Sequence, residues 1–232
     1  MKINVNRFVQ EPSHCAVASV ASLANYYNKD IDYKKTKSIA NRLFRRKKGQ
    51  PFEGLETQKM GLLLNAVGFN KVTIISSNLD FLDYDWSTKS KKALVELFFN
   101  KSKDKKCDYK WYCRWMYKFL IKNRQNNLII DYNFGDYIRK SIDDGEPLIA
   151  TFNWTMFFKQ KRDKEEEAEE HAVVVHGYNE KEAMIIDSHV GSYKYGLKKY
   201  SKGFYNIGWE NLMSVIGQGD LILASNYVGI KK

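Results

Sequence analysis

Only three cysteines occur in 232 residues, Cys15, Cys107 and Cys113, and no two of them form a CxxC pair. An odd, sparse set fits a reducing compartment better than a disulfide framework, and it argues against a structural zinc site. No run approaches the roughly 20 apolar residues needed to cross a bilayer. The opening MKINVNRFVQEPSHC has no apolar stretch of the kind a signal peptide needs, so a cytoplasmic location is expected. There is no internal repeat and no low-complexity linker. What is present is enough for a core: 44% of the chain is hydrophobic, too much for a disordered tail. The length fits one domain over 1–232, or one domain with an insertion, placed here at about 78–127.

Charge of one sign dominates. The net charge is +11. Lys34 to Lys48 holds eight basic residues and no acidic one. A second basic stretch, Lys101 to Arg124, interleaves Trp111, Tyr112, Trp115, Tyr117 and Phe119. Basic plus aromatic is the composition of a nucleic-acid groove. The ordinary account is a solvated surface over a core-facing aromatic stripe, since diffuse positive charge sets solubility and loose association. Nucleic acid is therefore a partner to weigh, not the favoured one.

Along the chain, the first dozen residues read as extended and end at Glu11-Pro12. Ser13 suits an N-cap, and CAVASVASLANYY then reads as a helix opening at Cys15. Its small residues predict a helix enclosed by the rest of the domain. A second, basic helix is expected over 33–48. Thr57 suits a cap for QKMGLLLNAVGF, with Gly68 as its stop. Strands are expected at 72–76 and 128–131, helices near 89–100, 109–122 and 135–144, and a buried strand in PLIATFNW. KQKRDKEEEAEE, at 159–170, has no apolar face and reads as a mobile loop or solvated helix that could act as a lip over a cleft. HAVVVHGY and EAMIIDSHV form two strands joined by a turn at 179–182. After a loop rich in Gly, Tyr and Lys come WENLMSVIG, a helix or turn, and DLILAS, a last strand. Helices first and an antiparallel sheet later indicate α+β.

Reactive groups narrow the field. Cys15 stands at a helix start, where unpaired N–H groups and the helix dipole favour a thiolate. A lone cysteine is also at home as a small buried core residue. A nucleophilic cysteine needs a base remote in sequence and near in space. Of the four histidines, His14, His171, His176 and His189, His171 begins an apolar strand beside the charged run. His176 falls on the opposite strand face, and His189 lies beyond the second strand as a competitor. If the two strands pair as a hairpin, Asp187 comes diagonally beside His171, where a carboxylate orients an imidazole. It could equally cap the turn before Gly191. Gln10, five residues before Cys15, could join the Cys15 N–H as an oxyanion hole.

Q-EPSH-C-AVAS resembles the Gln-x4-Cys opening of the papain-like peptidases that process bacteriocin leaders, and of their wider C39-like relatives. HAVVVHGY followed by IIDSH resembles that family's His and Asp strands. GLETQKMGLLLNAVGF, IRKSIDDGEPLIATFNW and GWENLMSVIGQGDLILAS resemble its remaining segments, in the family's order. The resemblance implies a papain-like α+β fold with the nucleophile at a helix N-terminus. It implies Gln10 for the oxyanion, Cys15 as nucleophile, His171 as base and Asp187 as orienter, with a peptide or protein substrate and no cofactor or metal. This chain has Cys15-Ala16 where the family usually has Cys-Gly, and Asp187-Ser188 where it has Asp-Pro; neither change removes a reacting group. Leader-processing members are usually fused to an ABC exporter. This sequence shows no membrane helix and no P-loop, so a double-glycine leader is not implied. Acyl transfer or hydrolysis of another amide would use the same triad, and a binding module acting through the basic surface is the reading of a different class.

Overall fold

Small side chains let the rest of the domain close around one helix. CAVASVASLANYY forms α1 (Cys15–Tyr27), and residues 16–25 are all buried. The expected cap is corrected. Ser13 takes a left-handed backbone (φ 59°) and His14 occupies the N-cap position. Behind Pro12 the chain turns tightly: His14 N–H donates to the Glu11 carbonyl (3.1 Å) and its Nδ1 donates to that of Pro12 (2.7 Å). That turn delivers Cys15 into the first helical position. Here the computed structural model describes residues 1–44, 54–153, 170–189, 203–217 and 219–230.

Helix α2 (Tyr33–Leu43) is capped by Asp32, whose carboxylate accepts from Lys35 N–H. It ends at Leu43 with Phe44 as its C-cap, short of the expected 48, and residues 45–48 lie outside the described residues. Helix α3 (Thr57–Val67) starts one residue earlier than expected. Glu56 is its cap, because the Met60 N–H already bonds the Glu56 carbonyl (3.0 Å) and Thr57 is buried as the first helical residue. It stops at Gly68, as the sequence indicates.

The strands are β1 (Phe69–Ser76), β2 (Asn127–Ile130), β3 (Leu148–Asn153), β4 (Glu170–Tyr178), β5 (Glu182–Ile186), β6 (Phe204–Gly208) and β7 (Asp220–Tyr227). They form one sheet in the order β2-β1-β7-β3-β4-β5-β6. All pairings are antiparallel except β1 with β2, which run parallel. The expectation of a purely antiparallel sheet is corrected at that pair. Parallel neighbours need a long crossover, and the insertion supplies it through a 3₁₀ turn (Tyr84–Thr88) and helices α4 (Lys91–Lys103) and α5 (Lys110–Lys122). Strand β6 was hidden because only Tyr205 and Ile207 of its five residues point inward, at the sheet edge. Helices α6 (Phe134–Asp143) and α7 (Trp209–Ile216) complete the α+β fold.

The insertion is anchored by its apolar side. Tyr112, Cys113, Met116, Phe119 and Leu120 of α5 are buried. Phe119 packs directly against Gly61 of α3, where even a Cβ would come within 2.6 Å of the ring. Phe119→Ala should therefore cost about 3–5 kcal/mol, read as a lowered urea midpoint with an unchanged slope.

Candidate active site

Antiparallel pairing puts the start of β4 beside the end of β5. Val174 faces Ile186 across the ladder, so Asp187 continues opposite Val173, one diagonal step from His171. His171 Nε2 donates to Asp187 Oδ1 at 2.8 Å. Both side chains are buried, Asp187 completely. The carboxylate also accepts from the His189 N–H at Oδ1 (2.8 Å) and from the Tyr205 hydroxyl at Oδ2 (3.3 Å), while the Asp187 backbone N–H donates to the Gly203 carbonyl (2.8 Å).

Helix α1 reaches this corner through Ser19, whose hydroxyl donates to the Ala172 carbonyl (3.0 Å). That contact lays the helix start against the start of β4. Cys15 is half-buried in this corner, and His171 is the side chain that most lowers its thiol pKa. Asp187 takes Nε2, so any proton exchanged with the sulfur would pass through Nδ1. Burial pushes the Cys15 thiol up, but the His171 hydrogen bond, the His171 charge and the backbone N–H groups of Ala172 and Ala16 outweigh it and hold the pKa below the ordinary thiol value. Burial pulls His171 down, yet the Asp187 charge and hydrogen bond, with those of Cys15, push it up to about 10. Opposite shifts of this kind favour a thiolate–imidazolium pair at neutral pH. Cys113 is the contrast: burial first, then neighbouring Cys107, pushes its thiol up to about 12.

Gln10 enters from the extended N-terminal segment. Its N–H donates to the Ser188 carbonyl (3.0 Å), and its Oε1 accepts from the Ser188 hydroxyl (2.6 Å). The side-chain oxygen is thus engaged, which leaves the amide N–H₂ end to act as a donor.

The other histidines separate cleanly. His176 is buried on the far strand face, with Nδ1 on the Ile3 carbonyl (2.8 Å), and lines a different pocket with Lys2, Met184 and Phe204. His189 follows β5 with its ring 6.2 Å from that of His171, and its backbone N–H donates to Asp187. The run 159–169 and Gly191 lie outside the described residues.

Residues 2–215 match the Peptidase_C39 like family. The chain belongs to that family. It is a cysteine peptidase, and membership implies a peptide substrate. Two solved structures are similar along nearly the whole chain. One is the peptidase domain of Streptococcus ComA, a bi-functional ABC transporter involved in a quorum sensing pathway (13% identity, TM-score 0.46, covering 96% of this chain and 100% of that one). The other is a C39-like peptidase from Bacillus anthracis (16% identity, TM-score 0.47, covering 98% and 100%). At these similarities neither assigns a role to any residue here. No curated protein matches the sequence. Among the described residues no helix is long and apolar enough to cross a membrane.

Sequence reasoning missed Arg7, Tyr205 and Ser188. Arg7 Nε donates to the Asp187 carbonyl and Nη2 to that of His189 (3.0 Å). It clamps the main chain on which Asp187 is carried. Nothing local marks a residue whose partners lie 180 and 182 positions away. Only the family's Asp-Pro pattern drew the eye to Ser188, and there as a departure.

Proposed function

We propose that Cys15, His171, Asp187 and Gln10 are the catalytic set of this peptidase, within a single catalytic domain over 1–232 that carries α4 and α5 as an insertion at about 78–127. The observation that carries the reading is the buried His171–Asp187 hydrogen bond (2.8 Å), set beside the half-buried Cys15 whose thiol His171 holds below its ordinary pKa. The Cys15 thiolate attacks the scissile carbonyl and forms a C–S bond. The carbonyl electron pair moves to oxygen, where the Gln10 amide and the Cys15 N–H donate to it. His171 gives its Nδ1 proton to the leaving amine as the C–N bond breaks, which leaves a thioester. His171 then takes a proton from water as its oxygen attacks the thioester, the C–S bond breaks, the acid is released and the thiolate–imidazolium pair is restored. Asp187 keeps the imidazole oriented and its positive form stabilised. Ser188 supports the Gln10 role by engaging Oε1, which leaves the N–H₂ end as the donor.

The test is selective acylation. A thiol-reactive peptide probe, read by peptide mapping, should label Cys15 at least about tenfold faster than Cys107 or Cys113 at neutral pH, because thiolate is the reactive form. Equal rates at the three cysteines would sink the assignment.

A further inference from the structure

Lys91 bonds the Asn123, Arg124 and Asn126 carbonyls and Lys101 the Tyr109 hydroxyl, but the insertion carries much more charge than its own fold or the proposed chemistry uses. Lys91 to Arg124 holds eleven Lys and Arg against three Asp and Glu, a net +8 of the chain's +11. On α5 this charge is ordered. Lys110, Arg114, Lys118 and Lys122 stand at i, i+4, i+8 and i+12, and all four are exposed. They make a ladder about 18 Å long with steps of about 6 Å. None of the four has an ion-pair partner among the described residues.

This arrangement works against the helix. Like charges at i,i+4 destabilise it, and the ladder stacks three such pairs in a row. Helix α5 has no acidic residue in its first turn, and Lys110 sits there against the positive end of the dipole. A surface kept only for solubility would intersperse signs. Indole rings run beside the ladder. Trp111 is 43% exposed. Trp115 is partly buried, with Lys118 Nζ 4.1 Å and Lys59 Nζ 5.0 Å from its ring. Lys103, Lys105 and Lys106 extend the positive surface beyond the start of the helix, and Arg124 beyond its end.

We propose that this face of α5 binds single-stranded nucleic acid, the Lys110–Arg114–Lys118–Lys122 ladder following the phosphates and Trp111 offering a stacking platform for a base. An extended, unpaired backbone can follow a straight row of cations, and aromatic rings add base stacking without sequence readout. Charge complementarity favours this partner over an acidic protein, whose carboxylates have no base to stack. The surface lies on the insertion and not on the residues proposed for catalysis, so binding is independent of Cys15.

Fluorescence anisotropy with labelled dT20 and rU20 tests it, using the full chain and its Cys15→Ala variant. Four phosphate contacts on a single strand give a log–log salt slope near −3, so raising salt from about 50 to 200 mM should weaken binding about 50-fold. Binding of either oligonucleotide, equal in wild type and Cys15→Ala, is expected. The variant with Lys110, Arg114, Lys118 and Lys122 all changed to Gln should lose more than tenfold in affinity. A control with Lys29, Lys71, Lys140 and Lys181 changed to Gln should lose little. Trp111→Ala should weaken binding while leaving the salt slope unchanged. No binding at 50 mM salt, a slope near zero in wild type, or equal loss in ladder and control variants would overturn the proposal. So would binding of anionic lipid vesicles in place of both oligonucleotides. The wild-type slope decides even where a multiple variant fails to fold.

Discussion

Cys15→Ala should reduce turnover of a peptide substrate found by library cleavage at least about 10⁴-fold, and His171→Ala should fall to the same floor. The double variant should lose nothing more, because the thiolate and its imidazolium act as one unit. Thermal midpoints should move little for Cys15→Ala, since only one sulfur at a partly exposed site is removed. The pair also sets a pH window. Cys15 is held below an ordinary thiol, so the thiolate persists as pH falls below neutrality. His171 is pushed up to about 10, so the proton needed by the leaving group is lost only as pH rises toward that value. Activity should therefore form a broad plateau bounded below by protonation of Cys15 and above by deprotonation of His171. Iodoacetamide alkylation of Cys15 reads the lower limb without any substrate. In His171→Ala that limb should move up, toward a free thiol near 8.5. An unshifted limb would mean that His171 is not the partner of the sulfur.

Gly203→Ala should damage stability and activity together. Gly203 has φ 85°, a region costly for any residue with a Cβ, and the added carbon would fall on the Arg7 guanidinium and against the Asp187 carbonyl oxygen. The Gly203 carbonyl also accepts the Asp187 N–H, so relief of the clash must move the segment that carries Asp187. A loss of about 3 kcal/mol in urea unfolding is expected. A drop of about 10²-fold in turnover should accompany it, through misplacement of His171. Arg7→Ala removes two charge-assisted hydrogen bonds to the Asp187 and His189 carbonyls and should lower turnover with a smaller loss of stability. In the double variant the Cβ no longer meets a guanidinium, so the two stability losses should sum to more than the measured total. Strict additivity would argue that Arg7 and Gly203 are not coupled.

The insertion and the peptidase core make different physical demands on the same chain. Gly61 beneath Phe119 and the buried stripe from Tyr112 to Leu120 fasten α5 to α3. The opposite side of α5 carries the unpaired cations. A helix bound so firmly on one side tolerates like charges on the other that would weaken it in isolation.

The residues themselves determined the outline of the fold. Short apolar, β-branched runs marked β3, β4 and β5, and small residues marked α1 as enclosed, because composition and side-chain volume are local properties. They also separated His171 from His176, since opposite faces of a strand follow from a two-residue repeat. The hairpin register that places Asp187 diagonal to His171 was readable for the same reason. Local signals failed where burial or a turn outweighed propensity: Ser13 yielded the cap to His14 behind Pro12, and Thr57 became the first helical residue and went inside. They failed again at β6, too short and too exposed to announce itself, and at the parallel β1–β2 pair, which depends on the path of a fifty-residue crossover. Arg7, Ser188 and Tyr205 belong wholly to the tertiary structure. Each meets the Asp187 or Gln10 segment by a hydrogen bond whose ends are brought together only when the N-terminal segment and β6 close around the end of β5, and no spacing along the chain encodes such a meeting.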